Sequence, residues 1–90
     1  MKYKNITLDY ITKHLNSHLV NKGSDIRITH TDEIFFAEIY TGKNKVSTGK
    51  GGLIMFLKEL GNNLDLFKVE YNSIILNKEE KEQLISELFK

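Results

Sequence analysis

Ninety residues provide for one hydrophobic core, so the chain is read as a single domain over 1–90, and multidomain machines and most large cofactor folds are excluded. Apolar residues at 40% and charged residues at 28% describe a chain that folds instead of staying disordered. A net charge of +1 excludes both the basic surplus of a nucleic-acid packager and the acidic surplus of a DNA mimic.

The first predicted element is a helix over Leu8–Val20, because Leu8, Ile11, Leu15 and Leu19 fall in one stripe at 100° per residue. Thr7 is placed to cap it and Gly23 to end it. Asp25–Thr31 alternates Ile26, Ile28 and His30 with Arg27, Thr29 and Thr31, the pattern of a half-buried strand, and Asp32-Glu33 turns the chain. Ile34–Thr41 is a second strand with apolar side chains on both faces, Ile34, Phe36 and Tyr40 against Phe35, Ala37 and Ile39, which predicts a central strand covered on both sides. Thr41-Gly42-Lys43-Asn44 reads as a hairpin turn into a third strand over Lys45–Thr48, completing an antiparallel meander.

Gly49, Gly51 and Gly52 open a second helix over Leu53–Leu60, with Leu53, Phe56, Leu57 and Leu60 as its inner stripe and Gly61 as its stop. Phe67, Val69 and Tyr71 alternate with Lys68 and Glu70 as a fourth strand, and Asn72-Ser73 turns it toward Ile74–Leu76. Asn77 followed by Glu80 is a capping-box start for a last helix whose Leu84, Ile85, Leu88 and Phe89 share a face. The fold class is therefore α+β: helix, three-stranded antiparallel meander, helix, one or two short strands, C-terminal helix.

Charge is mildly polarised, with eight Lys/Arg against five Asp/Glu in residues 1–50 and five against seven in 51–90. Only Arg27 among the basic residues is Arg, which disfavours bidentate reading of bases. The stretch Thr41–Gly52, TGKNKVSTGKGG, carries Lys43, Lys45 and Lys50 at a glycine-rich helix entrance, where backbone N–H groups and the helix dipole favour an anion. It departs from a Walker loop at two positions, since Asn44 stands for the first Gly and Gly51 for the magnesium-holding Ser or Thr.

The order helix, meander, helix resembles the layout of a double-stranded-RNA-binding domain, and that resemblance implies a basic start to the second helix that grips phosphates. Here Lys50 is followed by GGLIMFL, so most of that clamp is missing. In size and element order the chain is also similar to some small phage-encoded inhibitors of CRISPR nucleases, which implies a binding protein; a Lys- and Asn-rich composition with one Arg fits a low-GC bacterial or phage source.

His14 and His18 lie four apart, the spacing of two metal ligands on one helix face, with His30 as a candidate third, but HLNSH lacks the Glu of a zinc-protease helix and no metal site is assigned. No Ser sits in a nucleophile elbow, and the chain has no Cys. The reading is non-enzymatic, without a cofactor. MKYKNITLDY contains no apolar run of signal-peptide length and no membrane span is found, so a cytoplasmic location is expected.

The apolar surplus is the remaining signal: Ile54 and Met55 point away from the inner stripe of their helix, and with Phe35 they form a candidate patch for a protein partner or for a second copy of the chain. The expected function is docking on a macromolecule, foremost a protein, as inhibitor or adaptor. The alternative is a nucleic-acid-binding module that presents Lys43, Lys45 and Lys50, helped by Arg27 and Lys22, to phosphates.

Overall fold

A computed structural model describes residues 4–14 and 23–90. In chain order these form β1 (Lys4–Asn5), α1 (Leu8–Lys13), β2 (Ser24–His30), β3 (Phe35–Thr41), β4 (Asn44–Thr48), α2 (Lys50–Leu60), a 3-10 helix (Gly61–Leu66), β5 (Phe67–Tyr71), β6 (Ile74–Ile75) and α3 (Lys78–Leu88). The class is α+β, and the meander with its flanking helices follows the predicted order. The strands make one mixed sheet in the order β1-β4-β3-β2-β5-β6, antiparallel through the meander and parallel where β5 pairs with β2 and β1 with β4.

Register decides which side chains are buried. Ile26 stands opposite Ile39 and Val69, and Ile39 opposite Val46, so one apolar row crosses four strands on one face. Against that face α2 lays Leu53, Phe56, Leu57 and Leu60, with Ile11 of α1 and Leu88 of α3 completing the buried core. Phe56 meets Phe67 edge to face, ring centroids 5.8 Å apart, the arrangement the aromatic quadrupole favours. No buried side-chain nitrogen or oxygen among the described residues lacks a hydrogen-bond partner.

The helix ends follow local chemistry. Thr7 Oγ1 accepts the Tyr10 N–H at 3.1 Å. In α3, Asn77 Oδ1 accepts the Glu80 N–H at 2.9 Å while Glu80 Oε1 accepts the Asn77 N–H at 3.0 Å, the reciprocal box expected from the sequence. α2 ends at Gly61, which takes φ +55°, a left-handed conformation that costs glycine nothing.

Three expectations are corrected. β3 is interior to the sheet but, among the described residues, covered on one side only: its second face, with Phe36 and Tyr40, is dressed by polar neighbours and carries no described helix, and Phe36 remains 39% exposed. The first helix stops at Lys13 instead of Val20, because His14 leaves helical geometry at φ −111°, ψ 20°, its N–H donating to the Ile11 carbonyl; Leu15 and Leu19, on which the longer helix rested, lie outside the described residues. The second helix begins at Lys50, three residues before Leu53, since the Leu53 N–H already donates to the Gly49 carbonyl at 3.1 Å. β1 and the 3-10 helix carry no periodic pattern and were not anticipated.

Candidate functional site

The glycine-lysine stretch is not one loop. Lys43 occupies the β3–β4 turn, Lys45 lies within β4, and Lys50 begins α2, so a five-residue strand of about 13 Å separates the first lysine from the last. Lys45 Nζ is also held 3.1 Å from Glu38 Oε2, both side chains largely covered. Gly49 caps α2 without a side-chain hydrogen bond. The three lysines therefore do not converge on one anion, and Lys22 lies outside the described residues.

Arg27 and Lys45 do meet over one ring, on the face that no helix of the described residues covers. Arg27 Cζ lies 4.9 Å and Lys45 Nζ 6.0 Å from the centre of the Tyr40 ring. The same face carries Glu38 and Asp25, and Asp25 Oδ2 lies 4.0 Å from Lys68 Nζ. Positive and negative groups alternate across it, which leaves a charge-balanced surface and no field to concentrate phosphates.

Of the predicted apolar patch, Met55 is 53% exposed, while Ile54 and Phe35 are partly buried and packed against the core. Phe35 additionally meets the His30 ring at 4.9 Å. Of the histidines named from the sequence, His14 stacks on Tyr10 with ring centroids 4.3 Å apart, its Nδ1 lies 2.7 Å from the Tyr10 carbonyl, and His18 falls outside the described residues. Among the described residues no group of three potential metal ligands comes together, and no helix is long and apolar enough to cross a membrane.

A different apolar surface stands out at the end of the sheet. Asn72 and Ser73 both take positive φ, 48° and 71°, and make the tight two-residue turn that returns the chain antiparallel to β5. The Asn72 side chain locks this turn to β2, accepting the His30 N–H at 2.8 Å and donating to its carbonyl at 2.9 Å. The Tyr71 hydroxyl bonds the Nδ1 of the same histidine. Only Ile74, Ile75 and Leu76 separate the turn from the Asn77 cap of α3, and β6 takes the first two of them. Its side chains point to opposite faces, and Ile74 and Ile75 are 62% and 59% exposed, the two highest values among the exposed large apolar residues. β6 is the last strand in the sheet order, so its outer backbone edge faces away from the sheet.

Sequence reasoning placed these isoleucines in a strand but not in a site. The signal was a turn followed by Ile-Ile-Leu and then at once a helix cap, too short an apolar run to serve as an interior strand. Compared with known proteins, the chain matches no protein-family model, no curated protein and no solved structure.

Proposed function

We propose that this chain is a non-enzymatic binding protein that docks on another protein through the free edge of its sheet at β6. The observation that carries the reading is the pair Ile74 and Ile75, adjacent, exposed above half on both faces of an edge strand. An exposed apolar edge is a template for another chain; β6 is kept short, one of the ways in which edges are blunted, but its two side chains are apolar where charge or proline would complete the shielding. Strand addition supplies affinity through main-chain hydrogen bonds and selectivity through alternate side chains, and it needs no catalytic group. Docking of this kind inhibits or adapts the partner, and a chain without Cys suits the reducing cytoplasm. The charge-balanced open face and the dispersed lysines weigh against the nucleic-acid alternative.

The test is a displayed-proteome selection with the wild-type chain and with the Ile74→Lys, Ile75→Lys double variant as baits. Partners held by the wild type and lost by the variant support the reading. Partners held equally by both overturn it. So does salt-sensitive binding of labelled DNA or RNA that disappears when Lys43, Lys45 and Lys50 are replaced by Ala; three phosphate contacts would give a log–log salt slope of about −2.7 on duplex DNA.

A further inference from the structure

Beside β6 lies a groove of about 210 Å³, floored by Tyr71, Leu76 and Leu84 and walled by Glu80, Gln83 and Glu87 of α3. Ile74 pairs with Tyr71 in the ladder and so projects on the face that carries the groove. The ladder continues past β6, with the Leu76 N–H donating to the Val69 carbonyl at 2.9 Å, which fixes Leu76 in the floor. Lys78 and Lys81 of α3 line, with Glu82 and Asp65, a separate cleft toward the 3-10 helix, and Lys81 Nζ donates to the Phe67 carbonyl at 2.9 Å. On the β6 side the groove wall holds two carboxylates and, among the described residues, no cation. Glu80 Oε1 is engaged by the Asn77 N–H, whereas Glu87 stands a further two turns along the helix.

Resting on the docking reading above, we infer that the partner segment is an extended peptide whose α3-facing residues, every second position, set an apolar residue between Lys or Arg two positions to either side. It adds to the outer edge of β6, sets an apolar side chain beside Ile74 over Tyr71, Leu76 and Leu84, and directs Lys or Arg toward Glu80 and Glu87. Apolar floor, acidic wall and open strand edge lie side by side, and one occupant uses all three. An anionic strand would face two carboxylates of like charge, and a helix would leave the strand edge unused.

The experiment selects binders from two displayed libraries of extended peptides, one with Lys or Arg two positions to either side of a central apolar residue and one with Asp or Glu there. Selected peptides are then measured by fluorescence anisotropy against the wild type, the Gln83→Lys, Glu87→Lys double variant and the Ile74→Lys, Ile75→Lys variant. Lys near the C-terminal end of α3 suits the helix dipole, and circular dichroism checks that each variant is folded. Binders are expected from the cationic library, weakened about tenfold or more by the charge-reversing double variant and abolished at the edge variant or by proline in the peptide. Binders from the anionic library, or cationic binders indifferent to Gln83→Lys and Glu87→Lys but lost at the edge variant, overturn the charge assignment and leave the docking reading standing. Sedimentation showing a wild-type dimer that the edge variant dissociates also overturns it, since a second copy then fills the edge. Binders from neither library, together with selected proteome partners indifferent to the edge variant, overturn both.

Discussion

A methyl group built on Gly52 comes within 1.8 Å of the Thr48 hydroxyl oxygen and 3.0 Å of its Cβ, because α2 leaves β4 with almost no intervening chain and its first turn lies against the strand it came from. Thr48 is β-branched and has few rotamers in which to retreat. Gly51, one residue earlier, faces open space. Gly52→Ala is therefore expected to lower stability by about 1–3 kcal/mol despite alanine's better helix propensity, and Gly51→Ala to raise it by about 0.5–1 kcal/mol. Urea denaturation of the two variants reads both signs, and a stabilising Gly52→Ala would contradict the packing at this corner. At the opposite end of the sheet, Asn72 supplies two hydrogen bonds to His30 and a left-handed backbone angle at once. Asn72→Ala removes the bonds and keeps the strained angle, for an expected loss of about 1–3 kcal/mol. The same denaturation series checks it.

At the scale of elements, the tight turn at Asn72-Ser73 asks for positive φ twice, and Ser73 meets that demand at φ 71° without glycine's freedom. Ser73→Gly is expected to gain about 0.5–1 kcal/mol in the same assay, unless the β5–β6 turn is not of this kind. α3 depends on its cap in a comparable way. Asn77→Ala breaks both halves of the box and should cost about 1 kcal/mol, seen as early loss of amide protection along Lys78–Lys81 in hydrogen exchange. This box was legible in the sequence because its residues are four positions or fewer apart, as were the stripe of α2 and the alternation of Ile26 with Ile28 and of Phe67 with Val69. What could not be read was pairing across long separations. β5 joins β2 across a sequence gap that holds two strands, α2 and the 3-10 helix, so the short run at Ile74 and Ile75 argued against an interior strand without showing which strand it ends beside. The isoleucines were therefore visible as a short strand, and their place in the sheet was not. The lysines were visible as a cluster in sequence, yet an extended strand spread them apart.

For the molecule as a whole, the consequential point is that the described helices gather on one side of the sheet. The two apolar faces of β3 suggested cover on both sides, but residue type does not report environment: Tyr40 is dressed by Arg27 and Lys45, and Phe36 stays partly in water. The layering has a direct energetic consequence. Phe56 is fully buried between α2 and the sheet, so Phe56→Ala should cost about 3–5 kcal/mol, a large part of the roughly 5–13 kcal/mol a domain of this size commands. Phe36, on the other face, is 39% exposed with no described helix packed over it, and Phe36→Ala should cost about 1 kcal/mol or less, the range of substitutions outside the core. A two-layer molecule predicts this inequality, whereas a sheet sandwiched between helices predicts similar losses at the two positions. Urea midpoints for the two variants, with unchanged slopes to show that the same surface is exposed on unfolding, distinguish the arrangements. A Phe36→Ala loss equal to that of Phe56→Ala would require a second layer over the face that carries Arg27, Tyr40 and Lys45.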